Sequence, residues 1–239
     1  MGDPRRIVAM GGGGFSMPPD NGLLDTFLLE LARERAGRER PRVCYIPTAA
    51  ADADATLVAF YSTFSGRAEP SHLALYWRRV DDIPAFLRDQ DLVFIAGGNT
   101  VNMLAIWRAH GVDDALREAW EAGVVMSGMS AGAICWFQGF TTDSFGPDLK
   151  PVRDGLGVLA GSFIPHYHGE AQRRPLFHRL VADGTLPGGY AVDDGAALVF
   201  HGTELHEAVG ALPEAAAFRV ERAGSEAVET RLAIRQLGG

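Results

Sequence analysis

One serine, two histidines and several carboxylates stand where they could carry out acyl transfer. Ser130 lies in Gly128-Met129-Ser130-Ala131-Gly132, directly behind the apolar run Val124-Val125-Met126. A buried strand, then Gly-x-Ser-x-Gly, then a helix from about Ala131 lifts a hydroxyl above the end of a sheet, beside the N–H groups of a helix start. The amide after the serine can then hold the oxyanion formed when the hydroxyl attacks a carbonyl. A glycine-rich turn without chemistry produces the same string, so the partners decide. A serine needs a base. His166 follows the short strand Ser162-Phe163-Ile164-Pro165 and so falls on a strand rim, while His168 competes through His168-Gly169-Glu170. His72, His110, His178, His201 and His206 read as surface or satisfied core residues. A carboxylate must then orient the imidazole and stabilise its charged form. Asp143, in a loop between Ser130 and His166, is the first candidate from spacing, with Glu170, Asp193 and Asp194 as alternatives.

The elements that would hold these groups alternate. Short apolar strands are expected at 6–10, 42–46, 72–77, 91–95 and 124–127, with helices near 24–31, 52–63, 82–89, 101–107 and 113–122 between them. Asp20 or Asn21 is expected to cap the first helix, and Asn99 or Thr100 the fourth. The alternation predicts an α/β fold, a mostly parallel sheet sandwiched by helices. Reactive groups in such sheets gather at the carboxyl ends of the strands, where Gly11–Gly14, Gly97–Asn99 and Gly128–Gly132 fall. Residues 138–153 read as loop, 162–164 as a strand and 175–182 as a helix. From Gly189 onward, short strands predict antiparallel additions to the sheet edge. With no linker, repeat or low-complexity tract, residues 1–239 read as one domain.

In order and spacing, Gly97-Gly98-Asn99-Thr100, Gly128 to Ala133, Thr141-Thr142-Asp143 and Pro165-His166 resemble peptidase E. These are aspartyl dipeptidases, serine exopeptidases related to cyanophycinase and to class I glutamine amidotransferases. The resemblance runs from the opening strand to about the Arg173-Arg174-Pro175 helix. It implies a three-layer amidotransferase-like fold, with Ser130 as nucleophile, His166 as base and Asp143 as acid. It also implies an oxyanion hole at the N–H groups of Gly98 and Ala131. Asn99 and a cation for an N-terminal aspartate would bind substrate, and Arg173 and Arg174 are the candidates although displaced from the family's Gly-Glu-x-Arg stretch. A solvated helix face is the competing reading for these arginines. His168 with Glu170 is the alternative catalytic pair, as in the amidotransferases.

The formal charge of −8 argues against nucleic acid or an anionic membrane as the main partner. Cys44 and Cys135 have no CxxC spacing and suit a reducing, cytoplasmic setting. Neither a signal peptide nor an apolar run long enough for a bilayer is apparent. No histidine, cysteine and carboxylate cluster has metal-ligand spacing, and no cofactor is expected. The glycine loop at 11–14 lacks the G-x-G-x-x-G register of a dinucleotide site. The expected partner is a small peptide substrate, with a homo-dimer left open. Competing readings are a cyanophycinase-like hydrolase, an esterase of the Ser…Asp…His order, or an inactive binding protein of the same fold.

Overall fold

The computed structural model describes residues 5–16 and 22–238. In chain order the first half runs β1 (Arg6–Met10), α1 (Leu23–Ala36), β2 (Arg42–Ile46), α2 (Asp54–Phe64), β3 (Glu69–His72), α3 (Ile83–Arg88), β4 (Leu92–Ile95), α4 (Thr100–His110), α5 (Val112–Glu121) and β5 (Val125–Met129). β3, β2, β4, β5 and β1 pair in that order, all parallel. β1, β2, β4 and β5 are apolar apart from Arg6, Arg42 and Ser127, and every side chain but the two arginines is buried, as expected of strands covered on both faces. The chain adds α6 (Ala131–Ile134), β6 (Phe137–Thr142), β7 (Lys150–Val152), β8 (Leu159–Ile164), α7 (Arg173–Ala182), β9 (Gly189–Val192), β10 (Ala196–His201), β11 (Glu204–Gly210), β12 (Ala217–Ala223), β13 (Glu226–Arg231) and β14 (Ile234–Gln236). β10 closes against β1 antiparallel, and β11 and β14 extend that edge to an eight-stranded, mostly parallel sheet.

Three expectations need correction. The strand expected at 72–77 ends at His72, because the N–H groups of Leu75 and Tyr76 turn to the Asp52 carboxylate instead of a ladder. The loop expected at 138–153 contains β6 and β7. The late strands do not all extend the main sheet, since β13, β12, β9, β8, β6 and β7 form a second, six-stranded sheet. One hydrophobic cluster runs from the main sheet through Trp136, Phe137 and Phe163 to Val192, joining the two sheets, and a smaller one fills the space between the second sheet and α7. The cap expected for α1 at Asp20 or Asn21 lies outside the described residues. Asn99 caps α4 as expected, its side chain accepting from the Asn102 N–H at 2.9 Å.

Candidate active site

Between β5 and α6 the backbone reverses within two residues. Ser130 takes φ 52° and ψ −114°, a conformation that a non-glycine residue holds only when its surroundings impose it. The Ser130 N–H continues the β1–β5 ladder to the Met10 carbonyl at 3.2 Å, and its own carbonyl accepts from Ala133 and Ile134 to start the helix. The flanking glycines are there for close approach. A Cβ on Gly128 would stand 2.4 Å from the Gly132 carbonyl oxygen, and one on Gly132 2.3 Å from that of Ile95. With the Ser130 amide used in the ladder, the next N–H, that of Ala131, has no acceptor among the described residues. The N–H of Gly98 is likewise without an acceptor. It belongs to the turn after β4, which passes so close to Ser130 that a Cβ on Gly97 would meet the Ser130 Cβ at 3.4 Å. Gly98 itself has φ 136° against the Ala49 carbonyl, so no other residue fits there without strain.

The candidate base, His166, comes from the second sheet. β8 and β9 lie side by side and parallel, Ile164 opposite Ala191, so the residues just past their ends meet. His166 Nδ1 lies 2.5 Å from Asp194 Oδ1. Only 13% of the His166 side chain is exposed, against 39% for Asp194. Asp194 pairs with Gly12 in an isolated parallel bridge, and Gly195 N–H donates to the Gly12 carbonyl at 2.8 Å. The glycine loop after β1 thus presses the pair into place. A Cβ on Gly12 would stand 2.1 Å from Asp194 Oδ1 and 3.0 Å from His166 Cε1. A carboxylate only accepts, so Nδ1 carries the proton and Nε2 is the free basic nitrogen.

Ser130 and His166 line one cleft of about 310 Å³ together with Gly98, Asn99, Asp143, Glu170 and Arg173. The Ser130 hydroxyl makes no hydrogen bond to His166 in this conformation. Asp143 is in the cleft but does not touch His166, because the β8–β9 pairing brings Asp194 there first. The expected acid is corrected accordingly. Nor does the His168–Glu170 pair form. The ring and N–H of His168 both turn to the buried Asp193 at 3.0 Å, and Glu170 holds Arg173 by two hydrogen bonds of 3.0 and 3.1 Å. The two arginines part company at the first turn of α7. Arg173 is 6% exposed and lines the cleft, with a buried Nη1 that has no partner among the described residues. Arg174 leans outward, 51% exposed, onto Glu229, so its expected place at the substrate is corrected. Among the described residues, no group of three or more His, Cys, Asp or Glu side chains is arranged to hold a metal ion, and no helix is long and apolar enough to cross a membrane.

Comparison with known proteins agrees with this picture. Residues 7–208 match the model of peptidase family S51. The chain is 46% identical over 235 residues to an uncharacterised peptidase of Bacillus subtilis, YgaJ, covering 98% of this chain and all of that one. It is 30% identical to peptidase E of Shewanella denitrificans over 134 residues, 52% of this chain and 57% of the relative. A crystal structure of a peptidase from an acI-B1 Actinobacterium superposes with a TM-score of 0.67 at 19% identity, covering 98% of this chain and 95% of the other. A putative peptidase E of Listeria monocytogenes EGD-e superposes with a TM-score of 0.58, also at 19% identity, covering 96% and 99%. The chain belongs to peptidase family S51, the peptidase E family, and is a peptidase.

Proposed function

We propose that this peptidase is a serine exopeptidase that hydrolyses short peptides, favours an N-terminal aspartate, and works through an acyl-enzyme on Ser130. The observation that carries the reading is the shared cleft, in which a serine held in a strained strand-to-helix turn faces an imidazole already oriented by Asp194. His166 Nε2 takes the hydroxyl proton as Ser130 attacks the carbonyl, and the Gly98 and Ala131 N–H groups hold the oxyanion. The contact between Ser130 and His166 tightens when substrate binds, as such contacts commonly do. The imidazolium then gives its proton to the leaving amine, and water releases the acyl group by the reverse steps. The chain order of these three residues, Ser…His…Asp, differs from the Ser…Asp…His of the α/β-hydrolases, which counts against the esterase alternative.

Aspartate preference is supported by Arg173. Two of its nitrogens are taken by Glu170, and the third, Nη1, is buried and unpaired among the described residues, on a side chain that lines the same cleft as Ser130. A substrate carboxylate there would satisfy a donor that is otherwise costly to bury. A cleft of about 310 Å³ is at the small end of ligand sites, which suits a dipeptide. The test is labelling with a fluorophosphonate, followed by hydrolysis of Asp-Leu against Ala-Leu. Ser130 is expected to carry the label, Ser130→Ala none, and Asp-Leu to be cleaved faster. A folded wild-type chain that takes no label overturns the serine mechanism, and labelling with no preference for Asp-Leu overturns the substrate assignment alone.

A further inference from the structure

Asp143 is left without a task by the assignments above. Its neighbours are nonetheless fixed in place. Thr142 and Ser144 hydroxyls bond each other at 2.7 Å, and the Ser144 hydroxyl also accepts from the Val101 N–H at the start of α4. The Asn99 amide donates to the Ser144 carbonyl, and the Asp143 carbonyl accepts from Gly146. A turn at the end of β6 is thus tied to the α4 cap on one side and to itself on the other. It holds Asp143 at the cleft wall with a carboxylate that has no hydrogen bond or ion pair among the described residues. The other side chains of the cleft that can carry charge are matched, Glu170 with Arg173, and His166 with Asp194 behind it. Asp143 is the carboxylate with no cation of its own.

We propose that Asp143 binds the free α-ammonium group of the substrate, and so makes this site read an amino terminus. The proposal rests on the serine-exopeptidase reading. An N-terminal aspartate carries an ammonium, a side-chain carboxylate and the scissile carbonyl around a single Cα. The cleft offers each a counterpart: an unpaired carboxylate on Asp143, a spare guanidinium N–H on Arg173, and the Ser130 hydroxyl with its two free amides. A peptide bond in mid-chain has a neutral amide where the ammonium would be. It would leave Asp143 desolvated without an ion to compensate it.

The test compares aspartyl p-nitroanilide with its desamino analogue, succinyl p-nitroanilide, in wild type, Asp143→Asn and Asp143→Glu, each also treated with the fluorophosphonate. Wild type is expected to favour the amine-bearing compound by about 10- to 100-fold in kcat/KM, the worth of a charge-assisted hydrogen bond. In Asp143→Asn that ratio falls to near one, through KM, while Ser130 still takes the label, and Asp143→Glu recovers part of the ratio. An unchanged ratio in Asp143→Asn refutes the proposal. So does loss of Ser130 labelling in that variant when folded, since a residue that binds only the ammonium has no part in activating the serine. A wild type that hydrolyses neither compound and takes no label defeats the serine-peptidase reading, and the proposal with it, a result distinct from the other two.

Discussion

Asp194→Asn separates the proposed acid, the carboxylate bonded to His166, from the one that sequence spacing favours. The carboxylate accepts from His166 Nδ1 at 2.5 Å, so the substitution acts twice. It removes the anion that stabilises the imidazolium, an interaction of about 4 kcal/mol at 4 Å and an effective dielectric of about 20. It also lets an amide N–H face Nδ1, which drives the proton to Nε2 and leaves no base toward Ser130. Together these predict a loss of about 10³- to 10⁴-fold in kcat, or roughly 4–5.5 kcal/mol of transition-state stabilisation. KM should hardly move, because Asp194 does not line the cleft. Stability should change by no more than about 1 kcal/mol, since 39% of the side chain already meets solvent. The assay is steady-state hydrolysis of Asp-Leu with melting curves on the same preparations, and Asp143→Asn run alongside. A kcat within tenfold of wild type, or a larger kcat loss in Asp143→Asn, would show that Asp194 is not the orienting acid.

Gly12→Ala should cost activity at least a hundredfold with the chain still folded, because its Cβ would meet the Asp194 carboxylate at 2.1 Å and displace the pair; wild-type kcat in that variant would mean the loop yields freely. Arg173→Met should lower the kcat/KM ratio of Asp-Leu to Ala-Leu by about 10- to 100-fold, while Arg174→Met leaves the ratio alone. The same ratio in all three proteins would assign the cation elsewhere. Burial pushes the Cys44 thiol up to about 12 and raises that of Cys135 as well, so iodoacetamide should leave activity intact. Inactivation by it would point to a nucleophile other than Ser130.

Much of the main sheet was legible because β1, β2, β4 and β5 are buried on both faces and therefore read as nearly continuous apolar runs. The turn at Ser130 was legible for a similar reason, since two close backbone approaches four residues apart demand glycine at both places. What escaped depends on distant partners. Residues 73–77 look like a strand until Asp52, more than twenty positions earlier, claims the N–H groups of Leu75 and Tyr76. The contact of Asp194 with His166 is set by the pairing of β8 with β9 across the whole of α7, and nothing local distinguishes it from Asp143. Arg173 and Arg174 are adjacent in sequence but about 100° apart around a helix, so one faces the cleft and the other Glu229.

The division of the site between two sheets bears on how the protein is made. Synthesis delivers the N-terminal part first. A chain that has emerged only as far as α6 carries Ser130 and both oxyanion amides, yet has neither His166 nor Asp194. β1 at that stage also lacks β10, its partner on the other side. On the proposed mechanism, the nascent chain holds a nucleophile with no base, and hydrolytic competence arrives only when the bridge from Asp194 to Gly12 closes the last third of the chain onto the first strand. On the same mechanism the nascent chain is silent toward its neighbours on the ribosome, and appearance of activity reports completed folding.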